Sequence, residues 1–334
     1  MLSVITLAHN EAIHIARAIR SVSGIASQVF VVDAFSTDGT VEIARAAGAH
    51  VVQHEFVNYA RQFQWALDNL PIETEWVMRL DADEAITPEL AAEIERRLPE
   101  LPDDVTGVVL KLGYVFMGRR IEHGARWLRL LRITRRGAAR IEQRWMDEHM
   151  ILLRGRSVAF EQRMFDHNLK DLTFFTDKHN RYATREALDI LIRNHRLLDM
   201  EAGPSVERAS TQMVLKRWIK ERIYNRAPFW LGPFAYFLYR YFARLGFLDG
   251  REGLIYHFLQ GFWYRFLVGA KVVQFEQAFS ANDDRAARLA KLESLSGYSL
   301  RGAGSGVGEA ASRVRTGTDE ASTSLVAQAA RATE

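Results

Sequence analysis

The amino-acid sequence predicts an α/β fold in which a mostly parallel sheet is flanked by helices and followed by a helical, aromatic-rich C-terminal extension. Two observations lead to this prediction. Short β-rich runs alternate with single amphipathic helical patterns in the first third of the chain, and the loops between them are short. Strands that alternate with single helices form a largely parallel sheet covered on both faces. Residues 227–270, by contrast, are the most aromatic part of the chain.

The predicted elements follow one another in a regular order. The first strands are predicted at 2–8, 28–34, 49–55 and 75–82. The helices that alternate with them are predicted at 10–24, 37–48, 58–70 and 87–98. Further strands are predicted at 107–118, 128–134 and 148–155, and a helical segment at 173–222 with a Gly-Pro break at 203–204. Small and charged residues dominate from about residue 281, and we expect disorder after about residue 299.

The composition excludes several kinds of site. A chain of 334 residues with 48% hydrophobic residues can bury a sizeable core. The chain has no cysteine, which excludes disulfides, thiolate zinc sites and cysteine nucleophiles. A metal ion would therefore be bound by oxygen or imidazole. The first residues lack the basic region and long apolar core of a signal peptide, and we expect a cytoplasmic protein.

Basic residues are concentrated in two segments, 126–144 and 208–226, although the net charge is only +3. No nucleic-acid-binding motif accompanies them, and we expect no nucleic-acid partner. Phosphate-rich small ligands or an anionic membrane surface explain these segments equally well.

Three carboxylates stand at the end of the predicted strand that contains Trp76. Asp81, Asp83 and Glu84 lie within four positions, and like charges this close repel one another unless a cation lies between them. The alternative is a solvated acidic turn before the helix that begins at Thr87.

Asp33 also ends an apolar strand. Because ligands bind beyond the carboxyl ends of parallel strands, these acids are expected at one edge of the sheet.

Two further turns carry polar residues at the start of a helix. Asn10 and Glu11 follow the first strand, where an ordinary helix cap is the alternative explanation. Ser36 and Asp38 lie near Gly39 after the second strand, and the helix that follows presents its N-terminus to anions.

Together and in this order, the stretches AHNE (8–11), DAFSTDGT (33–40) and RLDADE (79–84) resemble the nucleotide-sugar-binding domain of family 2 glycosyltransferases. The resemblance covers roughly residues 1–150. It implies the GT-A fold, a nucleoside-diphosphate sugar as donor, and Mg²⁺ or Mn²⁺ as cofactor. The expected domains are a GT-A domain over 1–170 with its donor- and metal-binding core over 1–105, a helical region over 171–280, and a low-complexity tail over 281–334.

The resemblance also implies roles for individual residues. Asp33 would contact the base beside the Ala8 backbone, Asp81 would face the ribose and sugar, and Asp83 would bind the metal. On the helix 58–70, Phe63 stands where the family often has a basic residue, which Arg61 could replace. The donor-binding candidates are Ala8, Asn10, Glu11, Asp33, Ser36, Asp38, Gln62 and Asp81.

The segment EQRWMDEHM (142–150) resembles the acidic acceptor motif of the family, in which a carboxylate deprotonates the attacking hydroxyl. Neighbouring residues of a strand point to opposite faces, so only one of Asp147 and Glu148 can be this base. Glu148 is the first candidate and Asp147 the second. His149 is a candidate metal ligand or phosphate contact. An ordinary ion pair with a neighbouring acid is the alternative for this histidine.

The aromatic stretch 227–270 is interrupted by Arg240 and Arg244, and later by His257 and Arg265. A transmembrane helix needs about 20 apolar residues with few charges, which this stretch does not offer. Aromatic residues interleaved with arginine suit helices in the headgroup region, where Arg240 and Arg244 would attract anionic lipid. The stretch also resembles the C-terminal segment of bacterial lipopolysaccharide-core transferases. An internal helical subdomain is the alternative.

The sequence therefore predicts an inverting, metal-dependent glycosyltransferase that acts on a lipid-linked cell-surface glycan. It would contact the membrane peripherally, at the cytoplasmic face of the inner membrane. A nucleotidyltransferase is one alternative, although no Gly-rich phosphate loop with a basic residue lies near the N-terminus. A catalytically inactive nucleotide-sugar or glycan-binding subunit is the other.

Overall fold

The computed structural model describes residues 1–125, 127–142, 149–198 and 228–300. Their main feature is a nine-stranded sheet in the order β3-β2-β1-β4-β8-β6-β11-β5, with β7 paired to β6. Its strands are β1 (Leu2–Ala8), β2 (Ala26–Asp33), β3 (His50–Gln53), β4 (Trp76–Arg79), β5 (Glu84–Ile86), β6 (Val105–Phe116), β7 (Arg119–Ile121), β8 (Leu128–Arg135) and β11 (Arg156–Asp166). A separate hairpin is formed by β9 (Ala139–Ile141) and β10 (Met150–Leu152).

Helices flank the sheet and form the C-terminal part of the chain. They are α1 (Ile15–Val22), α2 (Thr40–Ala46), α3 (Tyr59–Asn69), α4 (Pro88–Arg97), α5 (Leu172–Asn194), α6 (Leu231–Leu238), α7 (Gly250–Tyr256), α8 (Tyr264–Glu276) and α9 (Arg285–Ser296). One π-helical segment continues α6 through Ala243, and another joins α7 to α8.

The first four strands are parallel, as the strand–helix alternation predicts. β1 pairs in parallel with β2 on one side and with β4 on the other, and β2 pairs in parallel with β3. The sheet then becomes mixed, because β8 runs antiparallel to both β4 and β6. The predicted α/β class with a mostly parallel sheet and flanking helices is confirmed.

Both faces of the parallel strands are buried, which explains their continuous apolar sequence. Val4 packs into the core beneath α1 and α4, whereas its neighbour Ile5 packs into the core beneath α3. α1 contributes apolar residues spaced by three and four positions, from Ile15 to Val22.

Short polar side chains set several helix starts. Asn58, Thr87 and Asp171 each accept a hydrogen bond from a backbone N–H of the first turn. α1 begins at Ile15, later than predicted, because Asn10 adopts a left-handed φ of 54° and the chain turns there before the helix.

Four strands were not anticipated from the sequence: β5, β7, β9 and β11. β11 inserts between β6 and β5, pairing in parallel with the first and antiparallel with the second. This insertion brings the end of β11, Asp166, into register with Glu84 on one side and Tyr114 on the other.

The C-terminal helices form their own core. α5 packs against α8 and α9 through buried residues that include Leu191, Phe275 and Leu292. α9 therefore orders part of the segment that composition alone describes as low-complexity. Two predictions lie outside the described residues: the part of the predicted helical segment after residue 198, and the predicted disorder after residue 300.

Arg240 is buried, contrary to its expected contact with lipid. It is 7% exposed, lies over the rings of Tyr236 and Tyr256, and donates to the Gly124 carbonyl at 3.3 Å. Arg244 is exposed as expected. Within the described ranges, none of the helices combines the length and the apolar character that crossing a membrane requires.

Candidate active site

Asp81 follows β4, and its carboxylate is the centre of a charge network. Tyr59 donates its hydroxyl to Oδ1. Arg79 donates to Oδ1 at 3.2 Å, and Arg132 donates to Oδ2 at 3.4 Å. Arg132 also pairs with Glu84, whose Oε2 accepts the Asp81 backbone N–H at 2.9 Å. Two arginines thus neutralise two carboxylates at this edge of the sheet.

The charges in this network favour an ionised Asp81. Burial opposes ionisation, but the charges of Arg79 and Arg132 outweigh it and hold the pKa of Asp81 well below its usual range. Burial raises the pKa of Glu84 to about 8, because Arg132 compensates only in part and the Asp81 charge adds to the effect. The Asp81 oxygens are already bonded to protein donors, which suits an orienting role better than metal ligation.

Asp83 lies in the turn between β4 and β5 and is half-buried. Its Oδ2 accepts a hydrogen bond from Asn168 Nδ2 at 3.0 Å. Its backbone carbonyl accepts from the His167 N–H at 2.9 Å and from Arg17 at 3.1 Å. The segment after β11 therefore crosses the sheet edge at the acidic turn.

The loops after β1 and β2 are bound together by side-chain hydrogen bonds. Asp33 is fully buried at the end of β2 and accepts from the backbone N–H of Ser36 at 2.9 Å and from its hydroxyl. Ser36 Oγ in turn accepts from the Asn10 N–H at 2.8 Å. Asn10 Oδ1 accepts from the Thr37 N–H at 2.9 Å. The predicted donor-binding residues Asn10, Asp33 and Ser36 thus lie together.

Asp38 and Glu11 meet through Thr40. Thr40 Oγ1 accepts from the Glu11 N–H at 2.8 Å and donates to Asp38 at 2.5 Å. Asp38 Oδ2 accepts from the Ala12 N–H at 3.1 Å. Partial burial raises the pKa of Asp38, but the hydrogen bonds from Thr40 and Ala12 outweigh this and lower it. The Asp38 carboxylate therefore shapes the two loops.

Glu11 is tied to the segment after β11. Its carboxylate pairs with Lys170 Nζ at 2.9 Å and with His14 Nδ1 at 2.5 Å. Burial raises the pKa of Glu11, but the hydrogen bonds from His14 and Lys170 outweigh burial and lower the pKa. His14 is buried, and its Nε2 accepts from the Leu169 N–H at 2.8 Å. Residues 168–170 are thereby fixed to the start of α1.

Ala8 and Gln62 occupy different surroundings. Ala8 pairs in register with Asp33, and its carbonyl accepts from the Ala34 N–H at 2.9 Å. Gln62 is 1% exposed, and its Nε2 donates to the His54 carbonyl at 3.2 Å. Gln62 therefore supports the loop after β3 from within the core.

The acceptor-side candidates are only partly described. Asp147 and Glu148 fall within residues 143–148, outside the described residues, and their assignment stays a prediction. His149 is exposed at the start of the β10 strand, where its carbonyl accepts from the Glu142 N–H at 2.8 Å. Among the contacts of the described residues, none joins His149 to Asp83.

Several residues at this edge were missed by the sequence analysis. Asp166 ends β11, where burial and the Asp83 charge raise its pKa to about 7, against the opposing charge of Lys178. Arg132, Asn168 and Lys170 also contact the acidic turns directly. An Asp-His-Asn run at 166–168 was the available signal, but β11 itself was not recognised as a strand.

A divalent cation fits this donor set if a substrate supplies further oxygens. Over the part of the chain that the structure describes, no group of three or more His, Asp and Glu side chains forms an all-protein metal site. Mg²⁺ is usually held by one or two carboxylates together with substrate phosphates. Asp83 offers a carboxylate of that kind, and the charge of Asp166 lies near it.

Curated relatives match a short part of the chain. Uncharacterized glycosyltransferases of Rickettsia felis and Rickettsia prowazekii are 43% and 42% identical over 94 residues. In both cases the aligned part covers 28% of this chain and 32% of the relative. The chain thus spans about a third of the length of these relatives.

Solved structures resemble a similar share of the chain. Mannosyl-3-phosphoglycerate synthase from Rubrobacter xylanophilus is 26% identical, with a TM-score of 0.31 and coverage of 38% of this chain and 43% of that one. Glucosyl-3-phosphoglycerate synthase from Mycobacterium tuberculosis, in complex with Mn²⁺, uridine diphosphate and glucosyl-3-phosphoglycerate, is 24% identical. Its TM-score is 0.29, and it covers 34% of this chain and 44% of that one. These TM-scores are too low to transfer details.

The family match is broader. The sequence profile described as glycosyl transferase family 2 matches residues 3–169, which is half of the 334-residue chain. The matched range contains the loops of Asp33, Asp81 and Asp83. It ends within residues 168–170, which contact Asp83 and the start of α1. The chain belongs to glycosyl transferase family 2.

Proposed function

We propose that this protein is an inverting, metal-dependent glycosyltransferase that moves a sugar from a nucleoside-diphosphate sugar to a hydroxyl of a lipid-linked cell-surface glycan, as in lipopolysaccharide biosynthesis. One observation carries the proposal. The acidic loops with Asp33, Asp81 and Asp83 meet at the carboxyl edge of parallel strands, in a chain of glycosyl transferase family 2. Ligands of such sheets bind beyond that edge.

The donor would lie across the loops after β1, β2 and β4. We assign Asp33 and the Ala8 backbone to the base, and Asp81 to the ribose and sugar. Asn10, Glu11, Ser36 and Asp38 hold the first two loops in place through their hydrogen bonds, and Gln62 supports the neighbouring loop. Protein donors fix the Asp81 carboxylate before substrate arrives, so little reorganisation is needed on binding.

The reaction exchanges one C–O bond for another. The acceptor oxygen forms a bond to the anomeric carbon of the donor sugar. The bond from that carbon to the diphosphate breaks, and its electron pair leaves with the diphosphate oxygen. The acceptor proton passes to a general base, for which we retain Glu148 first and Asp147 second. Attack from the face opposite the leaving group inverts the anomeric configuration.

Asp83 is the proposed protein ligand of Mg²⁺ or Mn²⁺. A divalent cation at this position would neutralise negative charge on the diphosphate. Asp83 is better placed for this than Asp81, because Tyr59 and two arginines occupy both Asp81 oxygens, whereas the described contacts give the Asp83 carboxylate a single side-chain hydrogen bond. His149 remains a candidate for a second metal ligand or a phosphate contact.

The C-terminal helices support the membrane part of the proposal. Between residues 229 and 248, nine large apolar or aromatic side chains are each between 42% and 57% exposed, and we call them the aromatic surface. They are Phe229, Trp230, Leu231, Phe234, Tyr239, Phe242, Leu245, Phe247 and Leu248. Extended apolar patches of this kind mark interaction sites.

An anionic bilayer is the partner that fits the aromatic surface. Residues 228–270 contain four arginines and two acids. Of these arginines, Arg244, Arg251 and Arg265 are exposed, whereas the acid Asp249 is buried against His123. Aromatic side chains with exposed arginines suit the headgroup region. We therefore place the protein at the cytoplasmic face of the inner membrane.

The helical region that carries the aromatic surface contacts the strands of the acidic edge through α7. Tyr256 of α7 packs against Phe116 and Ile121 at the ends of β6 and β7. Tyr114, also in contact with Tyr256, is in register with Asp166. An acceptor whose lipid stays in the bilayer could therefore present its glycan to this edge.

The test is a donor and product assay. Purified protein would be screened with nucleotide sugars by thermal shift, with and without Mn²⁺, because a ligand of the folded state raises the melting temperature. The stabilising donor would then be incubated with lipid-linked glycan acceptors. We expect release of a nucleoside diphosphate. Release of pyrophosphate would identify a nucleotidyltransferase, and binding without turnover on any acceptor would indicate an inactive binding subunit.

A further inference from the structure

Lys178 is a half-buried lysine in the first turns of α5, near the acidic edge of the sheet. Neighbouring residues of α5 define where it lies. Phe174 packs under Lys170, the partner of Glu11, with Lys170 Nζ 4.5 Å from the ring centre. Phe175 packs against Phe116 at the end of β6, with ring centres 5.2 Å apart.

These two contacts place Lys178 between the start of α1 and the end of β6. Residues three and four positions apart share one helix face, so Lys178 lies beside both Phe174 and Phe175. Asp83 and Asp166 lie at the same part of the sheet edge. Burial opposes the charged form, but the charges of Tyr182, Asp83, Asp166 and Glu11 raise the pKa of Lys178.

Lys178 differs from the other lysine of this region in its partners. Lys170 donates hydrogen bonds to the Glu11 carboxylate at 2.9 Å and to the Asn10 carbonyl at 3.1 Å. Within the described residues, Lys178 makes no ion pair. Its ammonium nitrogen lies 5.9 Å from the centre of the Tyr182 ring. Lys178 therefore lies within electrostatic range of Asp83, Asp166 and Glu11 without an ion pair to any of them.

We infer that Lys178 binds the diphosphate of the donor and of the nucleoside-diphosphate product, opposite Asp83. The inference rests on the proposed function. When the sugar–diphosphate bond breaks, the electron pair stays on the leaving oxygen, and the diphosphate gains negative charge. A lysine is a compact positive charge with three donors, and lysines bind phosphate in this manner.

A cation without a bonded partner suits this task. An arginine such as Arg132 would first have to leave its carboxylates, whereas Lys178 has no ion pair to break. Because Lys178 makes no ion pair with Asp83, the Asp83 carboxylate would remain able to hold a metal ion, which would supply further positive charge to the diphosphate.

The test compares Lys178→Met and Lys178→Arg with the wild type, using full-length protein. Lys291→Met, on the remote helix α9, is the matched control. Calorimetry would measure binding of the nucleoside diphosphate of the best donor in the presence of Mn²⁺, and separately binding of Mn²⁺ alone. A hydrogen bond to a charged group predicts roughly a 10- to 100-fold weaker diphosphate affinity for Lys178→Met, with partial recovery in Lys178→Arg.

Binding of Mn²⁺ alone should be unchanged or tighter in Lys178→Met, because a like charge is removed from the acidic edge. Equal losses of Mn²⁺ and diphosphate affinity would instead show that Lys178 only maintains the fold of the edge, and would overturn the inference. Unchanged diphosphate affinity with a raised KM for the acceptor would overturn it as well. If the wild type binds no nucleoside diphosphate, the proposed function itself fails.

Discussion

Asn168 donates a hydrogen bond to Asp83 across 3.0 Å, and this bond joins two segments that are 85 positions apart in the sequence. It anchors the end of β11 to the turn after β4, beside the backbone contact between His167 and Asp83. The acidic turn is therefore held by tertiary contacts in addition to its own local structure.

Asp83→Ala should abolish sugar transfer and remove the Mn²⁺-dependent part of donor binding. The fold should survive, because the side chain is half-buried at an edge and makes a single side-chain hydrogen bond among the described contacts. Calorimetry with donor, with and without Mn²⁺, is the measurement, and Asp103→Ala at an exposed position is the control. Near-wild-type activity in excess Mn²⁺, or activity that persists in EDTA, would contradict the assignment.

Asp81→Ala should destabilise the protein, unlike Asp83→Ala. The substitution leaves Arg79 and the buried Arg132 short of one carboxylate, and removing one partner of a buried ion pair typically costs roughly 3–5 kcal/mol. Because Asp81 is 26% exposed, we expect the lower end of that range in the free energy of unfolding. Denaturant titration of both variants checks this, and equal stability of the two would refute it.

Glu148→Gln should lower turnover with little change in donor affinity. A positioned general base contributes roughly 10²–10⁴-fold in rate, and glutamine keeps the shape of the side chain without its basicity. Single-turnover kinetics with saturating donor is the measurement. Unchanged turnover would transfer the role to Asp147, and full activity of both variants would place the base elsewhere.

The aromatic surface should bind vesicles that contain anionic lipid. Phe242→Ser combined with Leu245→Ser removes two of its most exposed members and should weaken co-sedimentation, while donor binding stays unchanged. Leu153→Ser, at an exposed position directly after β10, is the control. Binding of the wild type to vesicles should also weaken in high salt.

Arg244→Glu should specifically reduce the preference for anionic over neutral vesicles. Each basic residue near the surface contributes about 1 kcal/mol, which corresponds to roughly a fivefold change in partitioning. Arg240 is unsuited to this test, because it is buried between Tyr236 and Tyr256. If the wild type stays off all vesicles at low salt and forms dimers instead, the aromatic surface is an interface between copies.

The stability of the C-terminal region should fall in mild acid because of His257. This side chain is fully buried, and neither ring nitrogen has a hydrogen-bond partner within the described structure. Burial, with the Arg240 charge, lowers the pKa of His257 from 6.5 to about 4. The unfolded chain therefore binds the proton first as the pH falls. Stability is complete above pH 6.5 and decreases towards pH 4, by roughly 3 kcal/mol.

His257→Gln should flatten this pH dependence of the free energy of unfolding, measured in denaturant between pH 7 and pH 4. The exposed His50→Gln variant serves as the control. Parallel pH profiles of the wild type and His257→Gln would show that another group is responsible.

Local sequence patterns predicted the N-terminal half of the sheet well. β1 to β4 and their helices depend on apolar periodicity, short loops and caps such as Thr87, all of which lie within a few residues of one another. The acids that end β2 and β4 could be placed at one edge for the same reason, because parallel strands share the direction of their carboxyl ends.

The sequence by itself therefore determined the α/β class, the family, and the positions of Asp33, Asp81 and Asp83 at the carboxyl edge. Only the tertiary structure decided which charges face these acids. β11 pairs with strands distant in the chain, and that pairing brings Asp166, Asn168 and Lys178 to the edge. The packing of α6 and α7 also buries Arg240, between Tyr236 and Tyr256, although the sequence had suggested this arginine for the surface. Burial and ion pairing depend on contacts between distant segments, and local periodicity carries no information about them.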